Sequence, residues 1–389
     1  MLSASENTIL RAAGAVAGVS FAFIILTSMD PASADILAVG TGQTYKTIQA
    51  AVNAAHSGDM INVHAGTYGC ASISKSGLTI QGVGSGQVTI SGAVCQSKGL
   101  LVISGSDTTI NNIVFTNAKD SEGNGAGIRM QGTNLTILNS KFFNNQDGLL
   151  SDYNVHSTIT VKDSTFGKNG TCVGSGGCAH AIYAGHVGTL DVENSTFNNT
   201  QAGHDIKSRA NNTIIIGNKI TDGPTGTSSY LIDVPNGGAV TITGNYLEKG
   251  PKSSNPTTAI SMGEEGATNP AGAMLIANNT FQNDLAKTQE FIFNRTGSAN
   301  LTVSGNVLSG YPTVLLKGLG TCLTASTKTA ALAYTVRPLD AAAANFAATP
   351  SRFSASAPHA VPEPATLTLF GACLLGLGLL LRRRKGSEL

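Results

Sequence analysis

Between residues 100 and 310 a short phrase of alternating apolar and polar positions recurs, closing each time on a turn-forming residue and an apolar anchor. It reads TINNIVF, LTILNSKFF, ITVKDSTF, LDVENSTF, IIIGNKI, VTITGNYL, LIANNTF and LTVSGNVL. The anchors fall at Val114, Phe142, Phe166, Phe197, Ile220, Leu247, Phe281 and Leu308. Their spacing runs from 23 residues (Phe197 to Ile220) to 34 (Leu247 to Phe281). A fixed core phrase with variable insertions is the signature of a solenoid whose loops cluster on one side. A second short segment follows each anchor, as in AGIRM, DGLLS, HAIYA, HDIKS, YLIDV, TAISM and EFIFN. Two or three strands per coil, each with a period of two, predict an all-β parallel β-helix. An Asn or Ser stands before most anchors (Asn112, Ser140, Ser164, Ser195, Asn218, Asn245, Asn279, Asn306). Stacked from coil to coil, such side chains can satisfy backbone groups at a bend, and Asn tolerates the left-handed conformation a bend requires. That is a structural role, and the Asn-x-Ser/Thr triplets on this ladder are not read as glycosylation sites.

Composition agrees with this picture. Of 389 residues 46 are Gly, Trp is absent and only 12% are charged, which excludes both a disordered chain and a long helical bundle. A formal net charge of +1 gives no electrostatic footprint for nucleic acid. The two ends differ from the body. Residues 1–34 carry Arg11, then the apolar run AAGAVAGVSFAFIIL, then Ala32-Ser33-Ala34, the pattern of a secretory signal peptide. Residues 323–360 are rich in Ala, Ser, Thr and Pro and read as a linker. At 361–389, VPEP is followed by an apolar stretch at 365–381, long enough for a transmembrane helix, and then by Arg382, Arg383, Arg384 and Lys385. Once both ends are set aside, the 35–322 body is nearly neutral. Its cysteines suit an oxidising compartment, with Cys172 pairing Cys178 across a short loop and Cys70 pairing Cys95 between neighbouring coils.

The tripartite tail resembles the PEP-CTERM sorting signal. That resemblance implies processing by an exosortase and sorting to the cell surface or extracellular matrix of a biofilm-forming Gram-negative bacterium, with signal peptidase acting at the other end and the C-terminal helix holding the chain transiently in the inner membrane. The segment TYKTIQAAVNAAHSGDMINVHAGTYG at 44–69 resembles the start of pectin-lyase-like right-handed parallel β-helix proteins, in which an amphipathic helix, here about 46–55, caps the first coil. The likeness covers roughly residues 41–320.

Aligning the second strands on Ile128, Leu150, Ile182, Ile206, Ile232, Ile260 and Ile292 gives an outward column of Arg129, Ser151, Tyr183, Lys207, Asp233, Ser261 and Phe293. Around its centre gather Asp205, Arg209, His180, His186, His204, Tyr230 and Asn236, with Glu264 and Glu265 in an adjoining loop. Eliminative cleavage of a uronate polymer needs a base, a cation on the carboxylate and an acid for the leaving oxygen. Lys207 is the candidate base, its proton affinity lowered by Arg209; Arg209 also grips the carboxylate, and Tyr183 or His204 is the acid. His180, His186, Asp205, Tyr230, Asp233 and Asn236 are candidate substrate contacts. The Lys/Arg pairing resembles that of some β-helix alginate and chondroitin lyases. No acidic cluster matches the calcium site such families use, so Ca²⁺ stays an open cofactor. Two other readings stand beside the lyase. One is an inverting glycoside hydrolase, with Asp205 and Asp233 about 6.5–9.5 Å apart. The other is a non-catalytic protein that binds or spaces extracellular polysaccharide, its charges forming an ion-pair ladder.

Overall fold

The computed structural model describes residues 34–173 and 177–323. The expected leader, the linker beyond Leu323 and the apolar tail helix lie outside the described residues. Among those described, no helix is long and apolar enough to cross a membrane.

Among the described residues, thirty strands form a ten-stranded and a twenty-stranded sheet. Strands pair in parallel with their equivalents one coil before and one coil after, those at the two ends on one side only, so the fold is a parallel β-solenoid. A representative coil runs Leu135–Leu138, Lys141–Phe143 and Asp147–Ser151 before the chain enters the next coil at Asn154. Near the start, a short helix, α1 (Ile48–Ala54), is capped by Thr47, whose hydroxyl accepts the Ala50 N–H at 3.1 Å. Ile48, Ala51 and Val52 of this helix are buried in the core.

The core is built by stacking like on like. Phe115, Phe142, Phe166 and Phe197 lie on successive coils with ring centroids 4.8, 4.6 and 4.8 Å apart and planes nearly parallel. That spacing is set by the distance between hydrogen-bonded strands. The register corrects one sequence expectation. Phe142 pairs with Phe115, so Phe115 is the inward anchor of its coil and Val114, one residue earlier, faces outward.

The same correction applies to the polar ladder. Its rungs are Ser140, Ser164, Ser195, Asn218, Asn245, Asn279 and Asn306, and the backbone N–H of each of the first six donates to the side-chain oxygen of the next, at 2.8–3.2 Å. Ile113, not Asn112, opens the series, donating its N–H to Ser140 Oγ. Asn112 belongs to the neighbouring position, where Asn139, Asp163, Asn194, Gly217, Gly244, Asn278 and Gly305 all have φ between 49° and 67°. The bend thus divides its work between two adjacent residues: the first takes the left-handed backbone, and the second satisfies the buried amide.

Among the described residues, disulfides join Cys70 to Cys95 and Cys172 to Cys178.

Candidate functional site

The ten-stranded sheet presents one outward column. Its register is Arg129, Leu150, Tyr183, Lys207, Asp233, Ser261, Phe293 and Lys317. Leu150 replaces Ser151 in this column, because Leu149 pairs with Ile128 and Ile182 as the inward residue. Two adjacent leucines leave the sequence phase ambiguous by one, and pairing resolves it.

A second column lies three residues toward the N-terminus of the first. The His180 N–H donates to Asp147 Oδ1 at 2.7 Å, the His204 N–H to His180 Nδ1 at 2.9 Å, and the Tyr230 N–H to His204 Nδ1 at 3.1 Å. The rings of His180, His204 and Tyr230 stack at 4.7 and 5.0 Å. Because each Nδ1 accepts, each neutral ring carries its hydrogen on Nε2. Burial, reinforced by Lys207 and Arg209, lowers His180 to about 3; burial and then the His180 charge put His204 well below the usual histidine range. Both rings are neutral at pH 7, which does not suit His204 to the role of imidazolium acid.

Between the two columns sits Asp233, only 2% exposed. Its Oδ2 lies 3.5 Å from His204 Nε2 and 3.5 Å from Lys207 Nζ, while Oδ1 has no hydrogen-bond partner among the described residues. Burial is the main cause that raises Asp233 to about 7, with Lys207 opposing and Glu264 and Glu265 adding. Lys207 Nζ also reaches Glu265 Oε1 at 2.8 Å, and Arg209 meets Glu265 Oε2 at 2.5 Å. Lys207 therefore stands between two carboxylates, an environment different from the Arg209-dominated one expected. The Tyr183 ring lies 5.7 Å from Lys207 Nζ and 5.6 Å from the Arg209 guanidinium, with His180 edge-on to it. The Tyr230 hydroxyl donates to Glu264 Oε1 at 2.8 Å.

The structure thus brings together Tyr183, Lys207, Arg209, Asp233, His180, His204 and Tyr230, and adds Glu264 and Glu265. Three other candidates stand apart. Asp205 is fully buried on the inner side of the sheet, where Thr200 Oγ1 donates to it at 2.5 Å. Its rung-mates there are Ala181 and Leu231, both core residues. His186 engages Asn211 Oδ1 at 2.9 Å and packs edge-on to Tyr153. Asn236 donates to the Gly266 carbonyl in the loop one coil on. With Asp205 inside and Asp233 outside, the two carboxylates do not flank a common groove, and the hydrolase pair proposed from sequence is not formed.

Sequence reasoning also missed residues. Arg295 donates to Ser261 Oγ at 2.7 Å and covers the Phe293 ring at 3.6 Å, extending the polar face by one coil. Lys249, fully buried, points into the interior with Asp205 and Asp222 and donates to the Ser229 carbonyl beside Tyr230. Burial holds Asp205 up at about 8 and Lys249 down at about 8. The position of Lys249, two residues after the inward Leu247 in the strand YLEK, is the signal that could have found it.

The groove carboxylates do not fit a Ca²⁺ cage. Asp233, Glu264 and Glu265 are each turned toward Lys207, Arg209, Tyr230 or Ser261, leaving no convergent set of oxygens. The grouping of metal-ligand type among the described residues, Asp35, His56 and Asp59, lies on the first coil. There the Asp59 oxygens accept the Asp35 and His56 N–H groups at 2.9 and 2.7 Å, as a turn requires.

The fold is a parallel β-solenoid whose ten-stranded sheet carries an outward face of polar and charged side chains. The chain carries a PEP-CTERM protein-sorting motif, matched over residues 360–385, which marks it as an exported protein sorted via the membrane. No curated protein sequence matches the chain. Among solved structures it is similar to an alginate lyase from Paenibacillus sp. strain FPU-7, with 15% identity, TM-score 0.47, and coverage of 74% of this chain and 99% of that one. It is also similar to a pectin methylesterase from Aspergillus niger, with 15% identity, TM-score 0.36, and coverage of 72% and 87%. A third is the pectin methylesterase PemA from Erwinia chrysanthemi, with 14% identity, TM-score 0.26, and coverage of 64% and 79%. These are likenesses of fold.

Proposed function

We propose that the protein is an exported enzyme of acidic extracellular polysaccharide that cleaves by β-elimination on the groove around Lys207. The observation that carries this reading is Asp233: a buried carboxyl whose proton affinity sits near neutrality, 3.5 Å from an outward lysine, beside an arginine able to hold a uronate. Asp233 gives Lys207 a place to leave its proton, so the amine can take the hydrogen alpha to the carboxylate. Arg209, braced by Glu265, holds that carboxylate and stabilises the charge that develops on it. The Tyr183 phenol, drawn toward the same two cations, supplies a proton to the leaving glycosidic oxygen. The C–H and C–O bonds break, a carbon–carbon double bond forms, and no water is consumed. His180 and His204 act as a rigid neutral wall, His204 positioning Asp233.

The test is the ultraviolet absorbance of the new unsaturated uronate, with the exported chain incubated with alginate, pectate, chondroitin and the host's own exopolysaccharide. Absorbance should rise, and Lys207→Ala should lower the rate by roughly 10²–10⁴-fold. A second reading rests on the ion pairs themselves: Lys207, Arg209 and Lys317 each face a carboxylate, an arrangement a polysaccharide-binding surface protein would also tolerate. A flat trace with retained polymer binding would favour it.

A further inference from the structure

The twenty-stranded sheet carries a second concavity that the elimination chemistry does not use. It is an open hollow of about 590 Å³ formed by Lys219, Thr221, Tyr246, Glu248, Asp284 and Tyr311, with Pro224 and Pro251 on its rim. Its floor comes from two outward columns. Lys219, Tyr246 and Thr280 form one, and Thr221, Glu248, Gln282 and Ser309 the other.

Two features of this hollow point to a ligand. The first is a pair of exposed aromatics: Tyr246 is 40% exposed and Tyr311 42%, in a chain with no Trp and only 5% aromatic residues. Tyr246 stands on the strand Tyr246–Lys249, and Tyr311 directly follows Val307–Gly310, two coils along. At one strand spacing per coil this sets them roughly 10 Å apart along the axis. The second is a set of fixed acceptors between them. Glu248 is held by the Gly223 N–H on Oε2 at 2.7 Å. Asp284 is held by Gln282 Nε2 at 2.6 Å, and Gln282 is itself fixed by Ser309 Oγ at 2.6 Å. Preformed acceptors beside flat apolar faces are what a polyhydroxylated ring needs, since its hydroxyls donate and its C–H face packs on an aromatic.

We infer that this hollow is a binding site for neutral, hydroxyl-rich glycan, with Tyr246 and Tyr311 as stacking platforms and Glu248 and Asp284 as hydroxyl acceptors. Charge separates it from the groove around Lys207. The acidic Glu248–Asp284 pair faces the one ammonium of Lys219, so the hollow has no surplus cation to hold a polyuronate, whereas the face around Lys207 and Arg209 offers cations. Contact between the Glu248 and Asp284 side chains also argues for binding over hydrolysis, since glycosidase carboxyl pairs stand about 5 Å or more apart. The inference stands independently of the elimination mechanism. A protein with both sites would hold one polymer while acting on another, as a mixed extracellular matrix would present them.

The experiment is calorimetric titration of the exported chain with cellohexaose, xylohexaose and mannohexaose, beside oligoguluronate. At least one neutral hexasaccharide should bind. Tyr246→Ala, Tyr311→Ala and Glu248→Gln should each weaken that binding tenfold or more, while Tyr153→Ala, at an exposed tyrosine outside the hollow, leaves it intact. Unchanged thermal midpoints would establish that the variants are folded, and Glu248→Gln, being isosteric, serves as the check if an alanine variant is not. Failure of all three neutral sugars to bind would overturn the inference. So would binding that survives the three substitutions, or oligoguluronate binding lost in Tyr246→Ala.

Discussion

At the scale of single residues, Asp233 links stability to the proposed chemistry. In the proposed mechanism it must be ionised to accept the proton of Lys207, so kcat/KM should rise as pH passes through about 7, and Asp233→Asn should flatten that limb and lower the plateau. The pH dependence of stability follows from the same burial. Asp233 and Glu248 are raised to about 7, and Asp147 and Asp205 to about 8, all above their unfolded values. A raised carboxyl binds its proton more tightly in the folded state, so its contribution is present at low pH and lost as pH rises through the folded value. His180, lowered to about 3, works in the opposite sense only below about 6.5, and Lys249, lowered to about 8, only above 8. Between pH 6.5 and 8 the carboxyls act alone, and the thermal midpoint should fall across that interval. Asp205→Asn should reduce the slope in differential scanning calorimetry. The identities of Lys207, Arg209, Tyr183 and Asp233 as neighbours were legible from a simple alignment of strands. The interior direction of Asp205 was not, because the chain bends immediately before Ile206 and two consecutive residues there face inward.

At the scale of the elements, the ladder and the aromatic stack carry the fold in different ways. Asn218 accepts the Ser195 N–H at 2.8 Å and donates to the Val192 carbonyl at 2.9 Å, with 2% exposure. Asn218→Ala would leave a buried amide and a buried carbonyl without partners, at a cost of about 1–3 kcal/mol for each group so stranded. Phe166 is enclosed between Phe142 and Phe197, and truncation to Ala should cost about 3–5 kcal/mol. Urea unfolding midpoints of the two variants would measure both. The repeat that announced these elements was plain in the sequence, since each coil restates one alternating phrase. Its phase failed once, at TINNIVF, where three apolar residues follow Asn112 and any of them fits the anchor. Hydrogen bonding between coils selects Phe115, because only then do the rings stack and the left-handed position fall on Asn112.

At the scale of the whole molecule, main-chain pairing joins each coil to its immediate neighbours, and covalent ties add local constraint to that stack. Cys70–Cys95 closes 25 residues and Cys172–Cys178 closes 6. Loop-closure entropy assigns roughly 3.5 kcal/mol to the first and about 2 to the second. Cys70→Ser should therefore lower the urea midpoint more than Cys178→Ser. The solenoid also imposes a metric on whatever lies along it. The outward column from Arg129 to Lys317 repeats at about 4.8 Å, a period dictated by main-chain hydrogen bonding that no side-chain substitution can retune. A polymer laid on that column brings its own period, and wherever the two differ they coincide only at intervals, as the marks of a vernier do. Affinity then concentrates at the few places of coincidence, and shifting the polymer by one of its units costs contacts everywhere at once. A surface of this kind measures its ligand by length, and oligomers too short to span two coincidences should lose affinity in steps, not in proportion to the units removed.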